Sequence, residues 1–547
     1  MTGRSRSRAG SVARVVLAMV AMASVMHYRD DVHPANEASR IYAALALVDH
    51  GTVALDPVFD DVAPGWRAAG RPPNLDVAVF EGSYRLDKAP GVTLLAVPVV
   101  AAIRAAGGHP SFATLTWLLA LLLAALPSAA FAEMLRRRLR RERVPGGNLW
   151  AAGLVLATPW LAYGGMLFGH ALAGSLAGAG VLLALGPLAR QGEGVPATTG
   201  DVARTGRRAA RSLLAGLLLG LAVLAEYPVA LLAVLACAAL AADRRWRALG
   251  FVVLGALPAA ATLLAWNAAN FGSPFAMSYG FKNAAAFAAI HSQGAYGMTW
   301  PSAQRLFGLL LGPTRGLLFL APWLAGGLAG AVVAAFDRDL ARPWRVVLAV
   351  GVPAWCLWIS GFVDWTAGAS IGPRHLLAGL PLLVIGAPVM ARRVAAYRAG
   401  PVVLAAMAGG IASSFLLDAV AAWTFPYADK AIVNPVAELA MPVLLEAGTA
   451  PTAWDAFLPV PAGALLALAA ALVLLLPALF RRVTPRALAV AVTVATLHLW
   501  VATLPETPPG DTKRLLQNRA WAFEMLGRDD LAAAVRAGMR REAPPPP

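Results

Sequence analysis

The sequence predicts an all-α polytopic membrane protein, and two observations support this fold class. Hydrophobic residues make up 59% of the 547 residues and charged residues only 14%, with a mean hydropathy of +0.63. Soluble domains carry about 25% charged residues, so this composition is typical of chains that lie in a bilayer. The second observation is that apolar stretches alternate with short arginine clusters. We therefore expect one bundle of membrane-spanning helices.

The distribution of charge argues against a nucleic-acid partner. The net charge is +16, but the arginines form separate clusters between apolar segments, which indicates membrane topology. Cys237 and Cys356 both lie inside apolar segments, so we expect neither a disulfide framework nor a cysteine metal site. Walker loops, dinucleotide-binding glycine patterns and HExxH or CxxC spacings do not occur in the sequence. A nucleotide-driven enzyme is therefore not expected.

The arginine clusters predict the topology, because arginine-rich loops stay on the cytoplasmic side. The clusters lie at 4–14, 136–143, 190–211, 244–247, 338–345, 392–398 and 481–486. The chain must cross the membrane an even number of times between successive clusters. Each later interval has room for one pair of helices, at 147–187, 212–242, 249–336, 346–391 and 400–480.

The first interval contains three apolar runs, 15–27, 90–106 and 112–134. Three crossings would place the 136–143 cluster outside, so one run must not cross. The run 90–106 is short and contains Pro90 and Pro98, so we interpret it as an interfacial or re-entrant helix. The run 15–27 is interpreted as an uncleaved first span. With a last span at 487–504, the prediction is about thirteen transmembrane helices.

These spans define the predicted domains. Residues 1–504 form the transmembrane domain, in which residues 29–111 are a first outer loop with juxtamembrane helices. Residues 505–547 form an extracytoplasmic tail, with a helical pair at 511–541 broken at Gly527 and a disordered end at Pro544–Pro547. The N-terminus is then cytoplasmic and the C-terminus extracytoplasmic, in a cytoplasmic (inner) membrane.

The first outer loop is the largest block of polar chemistry in the chain. Asn36 is expected to cap a helix, which places Glu37 in the first turn, where the helix dipole favours negative charge. A carboxylate here can act as a general base that deprotonates an acceptor attacking a sugar carbon. Glu37, Asp30 and Asp31 are the candidates. The alternative is that these residues only cap the helix and keep the loop solvated.

Two segments offer cations for a phosphate group. Lys88 precedes the helix at 90–106, where an ammonium group meets a lipid phosphate at headgroup depth, and Tyr84 belongs to the same segment. The alternative for Lys88 is a lysine whose side chain snorkels to the interface. In the segment 364–375, Trp365 offers a flat face for a sugar, Arg374 can bind phosphate through both guanidinium nitrogens, and His375 follows.

Arg315 is a third cationic candidate, because it stands in an otherwise apolar region. An arginine at membrane depth is costly and therefore indicates a functional site. The alternative is a structural role in which Arg315 pairs with a carboxylate such as Glu226.

Several of these segments resemble the GT-C membrane glycosyltransferases that use polyprenyl-phosphate sugars, such as the lipid A aminoarabinose transferase and the protein O-mannosyltransferases. Residues 36–42 (NEASRIY) are similar to the family's Asp-Glu followed by an Arg/Tyr helix, and residues 87–90 (DKAP) to its Lys-Pro turn. Residues 270–274 (NFGSP) and 368–375 (GASIGPRH) look like later segments of bacterial family-39-like members.

The resemblance implies a GT-C-like bundle and a catalytic acid in the first outer loop. It also implies a polyprenyl-phosphate-linked sugar donor that enters from the bilayer, and an acceptor in the cell envelope. No cofactor is expected, and a divalent metal is left open. The chain differs from the family pattern at Asn36, where an aspartate is usual, and around 165–170, where a second acidic residue is usual. These differences leave open a changed acceptor or an inactive structural relative. A transporter or flippase of lipid-linked saccharides is the alternative class of function.

Overall fold

The structure is a computed structural model that describes residues 3–30, 34–190, 201–456, 458, 462–479, 484–504 and 512–541. Two expectations fall outside this part of the chain. They concern Asp31, the predicted alternative base, and the proline-rich end at Pro544–Pro547.

The N-terminal region combines short helices with a β-hairpin. Its elements are α1 (Gly3–Ala23), α2 (Ala35–Asp49), α3 (Asp56–Val62), β1 (Val77–Phe80), β2 (Ser83–Leu86) and α4 (Gly91–Ala105).

The hairpin corrects the all-α prediction for this loop. β1 and β2 pair antiparallel, with Val77 opposite Leu86 and Phe80 opposite Ser83. The two turn residues, Glu81 and Gly82, have φ angles of 49° and 74°. Positive φ at both central residues matches the right-handed twist of the strands, so this two-residue turn closes a hairpin. The protein is therefore mainly helical with one small sheet in the first loop.

The first half of the bundle follows as α5 (Phe112–Ala120), α6 (Leu126–Arg141), α7 (Gly147–Leu156), α8 (Trp160–Tyr163), α9 (Gly169–Leu185), α10 (Asp201–Ala225), α11 (Ala230–Ala242) and α12 (Trp246–Phe271). A π-helical segment, Leu121–Ala125, joins α5 to α6, and a 3₁₀ turn, Tyr227–Val229, precedes α11.

The second half contains α13 (Ala285–His291), α14 (Ala303–Leu310), α15 (Leu317–Leu320), α16 (Ala325–Phe336), α17 (Arg342–Val346), α18 (Val352–Ser360), α19 (Leu380–Val394), α20 (Gly400–Trp423), α21 (Met441–Ala447), α22 (Ala462–Leu479), α23 (Pro485–Ala502), α24 (Thr512–Met525) and α25 (Asp529–Arg541). The segments Ser278–Phe281, Pro322–Leu324 and Arg374–Gly379 are 3₁₀-helical, and Val347–Gly351 and Val436–Ala440 are π-helical.

The predicted membrane character is confirmed by the helices. Among the described residues, seven helical segments are long and apolar enough to cross a membrane: Phe112–Arg141, Thr205–Ala225, Trp246–Phe271, Arg342–Ser360, Arg374–Val394, Gly400–Trp423 and Pro485–Ala502. Six shorter apolar helices accompany them, and α4, with Pro98 inside it, is one of these. The number of thirteen spans and the sidedness of the loops stay predictions.

Glycines allow the bundle helices to approach closely. A Cβ atom at Gly216 of α10 would collide with the backbone of Val252 in α12, and one at Gly330 of α16 with the backbone of Gly386 in α19. Membrane helices pack through such small residues, because lipid provides little hydrophobic force between them. The contact at Gly216 packs α10 closely against α12. The N-terminal part of α10 lies at the arginine-rich end of the bundle, and Glu226 directly follows its other end.

The tail helices pack onto the end of the bundle that carries the first loop. Gly527, with a φ of +73°, separates α24 from α25. The ring of Trp521 in α24 lies edge-on to Phe425, with centroids 4.7 Å apart. Arg29 donates from Nη1 to the backbone oxygen of Glu524 at 2.6 Å. The first loop and the tail therefore meet at one place.

Candidate functional site

A cavity of about 550 Å³ opens where the first loop, the tail and several bundle loops meet, and we call it the loop-end cavity. Its walls come from segments that are far apart in sequence. The polar and aromatic residues that line it include Asn36, Arg40, Asp76, Lys88, Phe168, His170, Glu226, Tyr279, Lys282, His291, Asp364, Arg374, His375, Tyr427 and Trp521.

The start of α2 places Asn36 and Arg40 on the wall of the loop-end cavity. The helix begins after Pro34, and no side chain caps it, so the expectation that Asn36 caps the helix is wrong. Because Asn36 lies inside the first turn, its side-chain oxygen accepts a hydrogen bond from Arg40 one turn later. Arg40 also donates to the backbone oxygen of Asn36 at 2.8 Å. Asn36 thus holds the Arg40 side chain at the start of α2.

Glu37 lies in the first turn of α2, as predicted, but lines a different space. Its side chain is buried, and Oε1 accepts a hydrogen bond from the backbone N–H of Leu167 at 2.7 Å. It borders a neighbouring cavity of about 40 Å³, which shares Pro34 and Tyr427 with the loop-end cavity. Burial raises the pKa of Glu37 to about 7, although the Leu167 N–H and the charge of Arg40 oppose the shift. Its predicted role as a base stays a prediction.

Asp30 is placed at the start of α5. Its Oδ1 accepts a hydrogen bond from the backbone N–H of Ala113 at 2.8 Å, next to the N-cap Ser111. Free N–H groups at a helix start attract carboxylates, which accounts for this contact. Asp30 is not among the residues that line the loop-end cavity. The structure therefore does not bring it together with Lys88 and Arg374.

Lys88 belongs to a buried cluster of two lysines and two aspartates. Its Nζ lies 3.0 Å from Asp76 and 3.2 Å from Asp87, while Lys282 reaches Asp87 at 2.5 Å. Burial alone would raise the pKa of Asp87, but the two lysines outweigh it and lower the pKa to about 2. The pKa of Lys88 is raised because the aspartates outweigh its burial. This cluster ties the first loop to the segment around 282.

A second buried cluster joins Arg40, Glu226 and His170. Glu226 Oε1 lies 3.4 Å from Arg40 Nη2 and 3.5 Å from His170 Nδ1. Burial raises the pKa of Glu226 against the opposing charges of Arg40, Arg374 and Lys88. The His170 ring lies edge-on to that of His375, with centroids 5.5 Å apart. The predicted segment around 170 therefore contributes a histidine to the cavity.

Arg374 differs from the other cations of the loop-end cavity. It forms no ion pair with a described carboxylate, and its Nε atom is buried without a hydrogen-bond partner. Its guanidinium carbon lies 5.2 Å from the centroid of the Phe168 ring. On the same loop, Asp364 accepts hydrogen bonds from Thr366 Oγ1 at 3.1 Å and from the Gly368 N–H at 3.4 Å. The loop thus carries an unpaired cation and a carboxylate to one cavity.

Three predicted binding residues lie behind the cavity walls. Arg315 is fully buried and donates to the backbone oxygens of Thr366, Gly368 and Ala428 at 3.0–3.1 Å. Carbonyl oxygens thus take up its donors in place of the alternative pairing with Glu226, and its predicted phosphate contact stays a prediction. Arg315 instead fixes the loop that carries Asp364 and Arg374.

Trp365 and Tyr84 also pack against protein. A Cβ atom at Gly308 would collide with the Trp365 ring, so that ring fills the space beside α14. Tyr84 packs against Phe59 and Trp66, with ring centroids 5.8 Å and 5.4 Å away. Both rings are held in apolar packing, and their predicted contacts with a substrate stay predictions. His375 does line the cavity, where its ring stacks on Phe362 with centroids 5.4 Å apart.

Sequence reasoning missed three residues of this site. Lys282 occurs in a loop that was predicted to be on the outer side, but no local pattern distinguished it from other loop charges. Asp364 begins the segment 364–375 that was singled out for its cation, but it was not named as a candidate base. Trp521 is in the tail, in which no catalytic pattern was found. The signal for Lys282 is that it is one of few lysines in a chain whose cations are mostly arginine.

The described residues contain no group of three or more His, Cys, Asp or Glu side chains that could hold a metal ion. The expectations that no cofactor is needed and that a metal is left open stay untested predictions.

Comparisons with known proteins give a distant likeness. No family model and no curated protein match the chain. Among solved structures it is similar to the archaeal oligosaccharyltransferase AglB from Archaeoglobus fulgidus in complex with an inhibitory peptide and a dolichol-phosphate, at TM-score 0.42 and 12% identity, over 94% of this chain and 58% of that one. It is also similar to the apo form of an Archaeoglobus fulgidus oligosaccharyltransferase, at TM-score 0.40, with the same identity of 12% and the same shares of 94% and 58%. The chain thus spans less than two thirds of either protein, and a likeness at this level does not establish an activity.

Proposed function

We propose that the protein is a GT-C-type membrane glycosyltransferase. It moves a sugar from a polyprenyl-phosphate carrier to a lipid, polysaccharide or protein acceptor outside the cytoplasmic membrane. The observation that carries this proposal is the unpaired Arg374, which shares the loop-end cavity with Lys88 and Asp364.

Arg374 is the proposed phosphate ligand. A guanidinium group with a buried nitrogen and no carboxylate partner is costly to keep, and an incoming anion relieves that cost. Its planar fork matches phosphate oxygens through two parallel hydrogen bonds. Lys88 adds a second positive charge, while Asp76 and Asp87 hold its ammonium group in place. The two cations together stabilise the charge that develops on the leaving phosphate.

The reaction needs one base in the same cavity. The acceptor hydroxyl or amine attacks the anomeric carbon, the carbon–oxygen bond to phosphate breaks, and the base takes the acceptor's proton while the lipid phosphate leaves. Asp364 meets the geometric requirement best, because it lines the loop-end cavity and its hydrogen-bond partners are a neutral hydroxyl and an amide. Glu37, the base expected from the sequence, lines the smaller neighbouring cavity. The two carboxylates are therefore competing candidates.

The membrane placement follows from the arginine clusters. We propose an inner-membrane protein with the loop-end cavity on the extracytoplasmic side, where a lipid-linked donor and an envelope acceptor meet. The apolar helices around the cavity allow the polyprenyl tail to stay in the bilayer while its phosphate reaches Arg374.

The test has two stages. Mass spectrometry of surface glycolipids and glycans from a deletion strain identifies the missing sugar linkage, and the reconstituted full chain is then assayed with that lipid-linked sugar. Asp364→Asn is expected to lower transfer by about 10²–10⁴-fold, since it removes general-base catalysis. Glu37→Gln is the competing variant and Asp61→Asn, which changes an exposed carboxylate, is the control.

Each result decides between named alternatives. Loss of transfer only in Glu37→Gln identifies Glu37 as the base and rejects Asp364. Unchanged transfer in both variants contradicts the proposed site. If the donor crosses the liposome membrane and no glycosidic product forms, the protein is a transporter and the proposed function is wrong.

A further inference from the structure

A second large cavity lies at the other end of α10, and we call it the basic cavity. Its volume is about 1130 Å³, and four stretches of chain line it, at 183–190, 205–212, 243–251 and 340–345. In the part of the chain that the structure describes, its charged lining consists of eight arginines and one carboxylate, Asp243. The arginines are Arg190, Arg208, Arg211, Arg244, Arg245, Arg247, Arg342 and Arg345.

Two of the arginines stabilise the fold at the end of α9. Arg245 donates to the backbone oxygens of Leu185 and Ala184 at 2.8 Å and 3.2 Å, and Arg211 donates to that of Leu182 at 3.2 Å. The last carbonyl groups of a helix have no partner within the helix, and cations near them are favoured by the helix dipole. These hydrogen bonds join α10 and the segment around 245 to the end of α9, and so fix the wall of the basic cavity.

Three exposed arginines of the basic cavity are available to bind an anion. Arg208, Arg247 and Arg342 are exposed and form no ion pair or side-chain hydrogen bond within the described part of the chain. The Nε atoms of Arg211 and Arg345 are buried and have no hydrogen-bond partner. A cavity wall with buried, unpartnered donors is built to accept a ligand with oxygen acceptors.

The topological role of arginine does not account for this arrangement. The positive-inside rule requires only that cations be near the ends of the spans on one side. The exposed arginines Arg140, Arg141 and Arg143 satisfy that rule at the surface and do not line the basic cavity. Eight arginines from four separate stretches of chain surround one cavity. The positive-inside rule does not require this arrangement.

We propose that the basic cavity binds the headgroup of an anionic membrane lipid that carries more than one phosphate charge. Trp246, which is 62% exposed, lines the cavity, and the apolar ring of Phe251 lies in the same wall. Exposed tryptophans mark the level of the bilayer interface, and basic pockets between membrane helices at this level bind phosphate headgroups. The apolar side chains point to a lipid and not to a soluble polyphosphate, because only a lipid brings acyl chains to the rim.

The test measures binding of cardiolipin with a fluorescent acyl chain to the purified full chain in detergent, by anisotropy. The variant Arg208→Gln/Arg247→Gln/Arg342→Gln is expected to weaken binding by at least about tenfold, since each arginine near a headgroup adds attraction. The matched control, Arg140→Gln/Arg141→Gln/Arg143→Gln, removes the same charge outside the cavity and is expected to change binding by less than about twofold. If the cavity variant does not elute as a single folded species, Arg247→Gln alone is expected to weaken binding by about fivefold.

The source of the phosphate is resolved by two further measurements. Unlabelled phosphatidylcholine and inorganic pyrophosphate are added as competitors. The proposal requires that neither displaces cardiolipin as well as unlabelled cardiolipin does. An equal loss of binding in the cavity variant and the control shows non-specific charge attraction and overturns the proposal. Displacement by pyrophosphate at equal concentration identifies a soluble anion and overturns the lipid assignment.

Discussion

The two large cavities differ in how their positive charges are balanced. In the loop-end cavity Lys88 contacts Asp76, Lys282 contacts Asp87 and Arg40 contacts Glu226, all within 3.4 Å. Among the described residues, the basic cavity is lined by eight arginines and a single carboxylate, Asp243. Both cavities belong to the same bundle, and α10 contributes to one and ends beside the other.

Burial explains the difference. The side chains of Lys282 and Arg40 are 4% and 3% exposed, so water cannot solvate their charges and a carboxylate must be near. The exposed arginines of the basic cavity keep their hydration and need no such partner. Arg374 is informative because it lines the loop-end cavity, where the other cations are paired with carboxylates, but it has no carboxylate partner itself, like the exposed arginines of the basic cavity. An unpaired cation among paired ones is the observation that supports the proposed phosphate site at Arg374.

The largest expected effect comes from breaking a buried pair. Asp87→Asn leaves Lys282 and Lys88 buried without their shared carboxylate, which is expected to lower the free energy of unfolding by about 3–5 kcal/mol. Thermal unfolding in detergent checks this. The control is Asp61→Asn, because Asp61 is exposed and pairs only with His50, and it is expected to change stability little. Equal shifts in the two variants would show that the cluster is not held by charge pairing.

A slightly smaller effect, on the rate of sugar transfer, is expected when the unpaired Arg374 is replaced. Arg374→Gln is expected to lower the rate of sugar transfer by about 10²–10³-fold, because one charged donor to the developing phosphate charge is lost. Arg247→Gln, in the basic cavity, is expected to transfer sugar at the wild-type rate. If both variants transfer at the same reduced rate, the distinction between the two cavities does not describe function.

The third effect, of about the same size as the second, concerns the pH dependence of stability at Glu37. The pKa of about 7 in the folded protein lies above the ordinary value of 4.5, so the folded state binds the proton more tightly. The contribution of Glu37 to the free energy of unfolding is fully present below pH 4.5 and falls as the pH rises. Above about pH 7 it is lost, which lowers the free energy of unfolding by about 3 kcal/mol. Glu37→Gln stays neutral and is expected to unfold at a higher temperature than wild type at pH 8, and at nearly the same temperature at pH 4.

The control for this measurement is Glu81→Gln, because Glu81 is exposed in the hairpin turn. This variant is expected to follow the wild-type pH profile. A constant difference in unfolding temperature between Glu37→Gln and wild type across the pH range would contradict a raised pKa at Glu37.

The sequence by itself determined the helical membrane character and two of the segments that line the loop-end cavity. Apolar length and arginine spacing are local properties, and they indicated apolar helices and loops without knowledge of any contact. The same holds for Glu37 in the first turn of α2 and for the break at Gly527. The segments around Lys88 and Arg374 were also recognised locally.

Only the tertiary structure decided which of these charges are free. Arg315 and Arg374 are both arginines near apolar segments, yet the first is bound by backbone oxygens from two loops and the second faces a cavity. Glu37 and Asp364 are likewise divided between two spaces by the packing of α2 against Leu167. Trp521 reaches the cavity because the tail folds back on Phe425. Partner choice depends on contacts between residues far apart in the chain, and no local pattern contains that information.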